Sequence, residues 1–183
     1  MKKPSKRAMR DFLQNQTHAQ LLELLLLLAE KQDGIRECIG AQMGLGFNEE
    51  LLAHHRTLIE RAMFPSGRQL DDPHLASAQQ AIKAYQQIST NHAGVADLML
   101  YYVELGINYA EQCSSHRASF GRNLTRMYLT AVKHIVRHDM QSLFRERCEE
   151  IVTDASEIPL YFYEDMVIAY DENFVLDSDD EED

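Results

Sequence analysis

The stretch LLELLLLLAEKQDGIRECIG, residues 21–40, decides how the fold is read. Thr17 and Gln20 stand just ahead of it at the spacing of a capping box, in which the threonine hydroxyl takes a first-turn backbone amide and the glutamine reaches back to the cap. The leucines point in almost every direction around a helix axis, and a helix that is apolar all round needs cover on more than one side. The expectation is a central core helix, with the rest of the chain packed about it.

Outward from this segment the signals stay helical. A basic run, SKRAMRDFL, starts a helix capped by Ser5. Asn48 followed by Glu49 and Glu50 opens another, with Leu51, His55, Leu58, Ile59 and Ala62 on one stripe that ends at Phe64 and Pro65. Asp72 before Pro73 reads as a cap followed by proline at the first helical position, turning Ala78, Ile82, Tyr85 and Ile88 inward. Residues 66–71 form the loop between these two. Further helices are expected at about 94–112, 116–137 and 141–154, and LYFYEDMVIAY after Pro159 reads as a final short helix. No stretch sustains the period-two alternation of a sheet. The fold class is therefore all-α, with six to eight helices in an irregular bundle or a short helix-pair solenoid.

Bulk properties narrow the class further. At 183 residues and 45% hydrophobic, the chain suits one domain that buries roughly two-thirds of its unfolded surface. The apolar run LLLLLA (24–29) sits between Glu23 and Glu30 and falls far short of the ~20 residues that cross a bilayer. The start, MKKPSKRAMRDFLQNQ, leads into polar residues with no apolar signal region, so a cytoplasmic protein without membrane association is expected. Cys38, Cys113 and Cys148 are odd in number and widely spaced, which argues for reduced thiols. Of the net charge of −11, most belongs to DENFVLDSDDEED, and residues 1–170 carry only about −3. A tail of that composition cannot bury enough apolar surface to offset its ordering entropy. Residues 1–170 are assigned to a single helical domain and 171–183 to a disordered acidic tail.

Two resemblances add to this reading. In YYVELGINYA (101–110), Tyr102, Leu105, Gly106 and Tyr109, with Ala118 further on, resemble a tetratricopeptide repeat, whose small glycine lets the partner helix approach. Arg122 and Thr125 stand where that repeat carries phenylalanine and a second alanine, and no second copy follows at its period. FPSGR (64–68), ADLMLYYVELG (96–106) and FRERCEEIV (144–152), behind a basic and then leucine-rich opening, resemble an uncharacterised bacterial family of short all-helical proteins across residues 5–155. That resemblance implies a helical fold and carries no activity, ligand or catalytic residue.

Candidate sites divide into bland and pointed readings. In HIVRH (134–138) the two histidines lie four residues apart on a helix, beside a stripe of Phe120, Leu124, Met127, Ala131 and Ile135, and packing is the preferred reading. A metal-binding regulator built from Cys113, His116, His134 and His138 is the alternative, although that order matches no common zinc site. On the other side of the same helix Arg122, Arg126, Lys133 and Arg137 share one face, with Arg117 just before it. A basic stripe in an acidic protein points to an anionic partner, and these five residues are the partner-binding candidates. Phe64, Pro65, Gly67 and Arg68 read as a turn, with Arg68 pairing to Asp97 or Glu104; together with Tyr102 and Gly106 these are structural motif residues. Tyr101, Tyr102 and Tyr109 form a second candidate surface if their rings reach solvent. GLGF (44–47) lacks a preceding strand and reads as a helix terminator rather than a nucleotide loop.

No nucleophile elbow, zinc-protease motif or carboxylate pair is present, so no catalytic residue, metal or cofactor is assigned. The function expected is a non-enzymatic helical interaction module that takes a protein partner through a groove or a basic helix face. A nucleic-acid-linked regulator with a DNA-mimicking acidic tail is the other alternative.

Overall fold

The computed structural model describes residues 4–32, 35–36, 39–40, 47–65, 72–112, 118–158 and 163–175. Eight helices are described: α1 (Lys6–Gln14), α2 (His18–Lys31), α3 (Phe47–Met63), α4 (Leu75–Ile88), α5 (His92–Gln112), α6 (Ala118–Arg137), α7 (Gln141–Ser156) and α8 (Tyr163–Phe174). The described residues contain no strand, and the fold is an all-α bundle.

Both N-terminal caps form as the side chains dictate. The Ser5 hydroxyl accepts from the Ala8 amide, and Thr17 and Gln20 complete the reciprocal capping box that starts α2. The helix α2 so started is nevertheless not the core. None of its residues is buried, Leu26 is 63% exposed, and Met9, Phe12 and Leu13 of α1 are exposed as well. Neither helix packs substantially against the other described helices. The expectation of a central leucine helix is thus overturned. Leucine all round an axis says that a surface disfavours water, but burial also requires neighbours shaped to meet it.

Helix α5 has those neighbours. It packs against α3, α4, α6 and α7, and twelve of its residues are buried. Each large apolar side chain so buried contributes about 1.5–3 kcal/mol before entropy is counted. Close approach depends on two glycines. A Cβ at Gly106 would run into Leu124 of α6, and one at Gly94 into the Tyr85 hydroxyl of α4. Helices α6, α7 and α8 close the far side, bringing Tyr128, Ile135, Cys148, Ile151, Met166 and Phe174 into the same core.

Several local expectations shift. Leu51, His55, Ile59 and Ala62 line the buried face of α3, but Leu58 is exposed. Helix α4 starts at Leu75 after His74, not at an Asp72 cap, because the His74 amide donates to the Ala62 carbonyl and ties this turn to the end of α3. Tyr102 and Tyr109 are core residues, so of the three tyrosines Tyr101 alone reaches solvent, and only in part. The boundary expected at 170/171 falls inside α8. The helix continues to Phe174, whose buried ring gives the first residues of the acidic segment an apolar anchor. Residues 176–183 lie outside the described residues, as do Cys38, Gly67, Arg68, residues 44–46, Cys113, His116 and Arg117.

Candidate functional site

The cationic face of α6 is built by helical spacing on a buried backing. Leu124, Tyr128, Ala131, Val132 and Ile135 fill the core side, which leaves Arg122, Arg126, Lys133 and Arg137 exposed on the other. Grooves run along both flanks of Arg126. One, of about 540 Å³ between α6 and α8, is lined by Ser119, Arg122, Asn123, Arg126, Leu129 and Asp165 among others. The second, of about 320 Å³ between α4, α5 and α6, includes Gln79, Lys83, Met99, Asn123, Arg126 and Thr130. The floor between them is polar. Gln79 donates to the Asn123 Oδ1 at 3.1 Å and to the Tyr102 hydroxyl at 3.4 Å, and Arg126 donates to the same Asn123 oxygen at 3.4 Å. Lys83 thus joins the cationic set from another helix, while Asp165 lines the groove between α6 and α8. Neither Lys83 nor the Gln79–Asn123 link was marked by the sequence, since both depend on α4 lying beside α6.

A second polar cluster stitches three helices together. Asp97 of α5 accepts from Arg56 of α3 (Nε–Oδ2 2.9 Å) and from Arg147 of α7 (Nη1–Oδ1 2.8 Å). The same Arg147 grips Glu104 with two bonds, Nε–Oε1 at 2.6 Å and Nη2–Oε2 at 2.9 Å. Burial alone would lower the Arg147 pKa, but the hydrogen bonds and charges of Glu104 and Asp97 outweigh it and hold the guanidinium above its ordinary value. Arg56 also lies over the Tyr101 ring, 5.4 Å from its centre. Asp97 is thus engaged by Arg56 and Arg147, and Glu104 by Arg147; Arg68, expected to pair with one of these acids, lies outside the described residues.

The third cluster collects three histidines. His134 lies in the last turn of α6 and His138 is the residue just after it, and the partner they meet is His92, the first residue of α5. The His92 and His138 rings stack 3.7 Å apart and 16° from parallel, with His134 centred 4.5 Å from His138 and 5.5 Å from His92. Burial, with the neighbouring histidine and Arg137 charges adding to it, lowers the pKa values of His134 and His138. The i, i+4 pair was legible in HIVRH. Its third member was not, because His92 lies 42 residues before His134 in sequence and no local pattern marks it.

No helix among the described residues is long and apolar enough to cross a membrane. Fold and surface together define a helical bundle with a cationic, grooved helix face and a separate histidine cluster. Residues 4–172 match a family of unknown function, DUF6155, and the chain belongs to that family. None of the curated proteins and none of the solved structures matches it.

Proposed function

We propose that this protein is a non-enzymatic, cytoplasmic interaction module of bacterial type, in which α5 and α6 act as a tetratricopeptide-like helix pair and α6 docks an acidic segment of a protein partner. The observation that carries the reading is the exposed row Arg122, Arg126, Lys133 and Arg137, backed by a rigid apolar core and flanked at Arg126 by two grooves. Grooves of this kind hold an extended or helical segment, while exposed cations attract acidic side chains and speed encounter. Gln79 and Asn123 offer polar groups on the groove floor for a bound backbone. The uncovered apolar surface of α1 and α2 also fits a protein whose work is association rather than catalysis.

The test is binding of a fluorescent aspartate- and glutamate-rich peptide to the full chain and to a double variant, Arg126→Glu with Lys133→Glu. Both positions are exposed, so circular dichroism should match wild type. Loss of peptide affinity by about tenfold or more, equivalent to about 1.4 kcal/mol, is the expected result. Equal affinity in the double variant contradicts the reading. So does failure to bind the peptide alongside tight, log-linearly salt-dependent binding to a DNA duplex, which is the signature of phosphate neutralisation.

A further inference from the structure

The histidine cluster is held from both sides by well-formed helix ends. Asn91 caps α5: its side-chain oxygen accepts from the Gly94 amide at 3.0 Å and its carbonyl from the Val95 amide at 3.1 Å, which fixes His92 in the first turn. At the other side α6 ends in a Schellman motif. The Asp139 amide donates to the Val136 carbonyl at 3.2 Å and the Met140 amide to the Ile135 carbonyl at 3.0 Å, with Asp139 in the left-handed region at φ 54°. Met140 packs against the core, as the apolar residue after such a cap commonly does. His138 is thereby set at the very end of the helix, one turn beyond His134.

Three imidazoles converge as a result. One ring nitrogen from each of His92, His134 and His138 lies within 4.8 Å of those of the other two. His134 Nε2 is 3.1 Å from the His92 carbonyl oxygen, and only a protonated nitrogen donates there. That bond places the proton on Nε2, so His134 would bind an ion through Nδ1, with the His92 carbonyl orienting the ring from behind. Nitrogens around a tetrahedral ion at about 2.0–2.1 Å stand roughly 3.3 Å apart, so ring rotations that close the cluster by up to about 1.5 Å suffice. His92 is exposed and can make that movement. Among the described residues, Arg137, which opposes a cation, and Asp139, which favours one, border the cluster.

We propose that His92, His134 and His138 bind one divalent transition-metal ion of the zinc class, with the fourth coordination position open to solvent. Imidazole nitrogens suit zinc, nickel, copper and cobalt, whereas magnesium and calcium take oxygen ligands. Three protein ligands and an open position set this apart from closed structural sites of four cysteines or histidines. The ion would join the start of α5 to the end of α6, and so stabilise the folded chain by binding it in preference to the unfolded one.

The experiment titrates chelator-stripped full-length protein with Zn²⁺ by calorimetry, and with Co²⁺ by visible spectroscopy. Wild type should take up one ion per chain, gain thermal stability with Zn²⁺ and develop the d–d bands of tetrahedral cobalt. His92→Ala and His138→Ala should each weaken binding by about tenfold or more. His92 is exposed, so its variant keeps the fold and separates ligand loss from unfolding. Cys113→Ser and His116→Ala should bind as wild type does. Less than stoichiometric uptake by wild type, undiminished uptake by His92→Ala, or loss in Cys113→Ser overturns the proposal.

Discussion

Helices α2 and α5 are both rich in large apolar residues, yet twelve residues of α5 are buried and none of α2 is. The difference lies in relief rather than in hydrophobicity. Helix α5 interleaves Gly94, Ala96, Gly106 and Ala110 with Leu98, Leu100, Tyr102 and Ile107, which makes hollows for Tyr85 and Leu124 and ridges for α3 and α7. Helix α2 presents leucine beside leucine and gains no such neighbour among the described helices. Ridges fit into grooves only where both surfaces alternate in size.

The sharpest way to break this comparison is to truncate one leucine in each helix. Leu98→Ala empties a fully buried site and should cost about 2–5 kcal/mol, whereas Leu26→Ala should stay within about 0.5 kcal/mol. Denaturant unfolding of both variants checks the pair, and equal losses would refute the assignment of α5 to the core. Next in size is Arg147→Met. It leaves Asp97 and Glu104 without their shared guanidinium, and a loss of about 2–3 kcal/mol is expected by the same measurement. Gly106→Ala should cost about 1–3 kcal/mol by forcing Leu124 against its packed surroundings.

A smaller effect depends on pH. Burial pushes the Cys148 thiol up to about 12 from an ordinary value of 9.0, so the folded chain holds this proton more tightly than the unfolded one. The resulting stabilisation is fully present below pH 9.0 and is lost as pH rises toward about 12. Thermal melts across that range should fall more steeply for wild type than for Cys148→Ala. Peptide mapping after iodoacetamide treatment should find Cys148 unmodified in the native protein near pH 8, because the reactive thiolate is suppressed. The smallest effect is at Thr17→Ala. Loss of its cap should fray α2, visible as lower helicity, while the melting of the α3–α8 body stays unchanged.

What was legible in the sequence follows the range of the interactions. Ser5 and the Thr17–Gln20 box act over three residues and were read correctly, as was the core stripe from Phe120 to Ile135, which repeats every three or four positions. The cationic row on α6 was visible for the same reason. Pairings over forty residues or more were not. Arg147 meets Asp97 and Glu104, and His92 meets His134 and His138, only because α5 lies beside α6 and α7. The misplacement of α2 has another origin: apolar composition is a property of one helix, while burial belongs to two surfaces.

Amide hydrogen exchange, resolved by segment on the intact protein, tests the central claim most directly. A 14-residue helix without cover from the other described helices is marginal in water, so α2 amides should exchange through local opening, many-fold faster than those of α5, which should approach the global unfolding limit. Protection of α2 equal to that of α5 would contradict the account, because the leucine helix would then belong to the cooperative core.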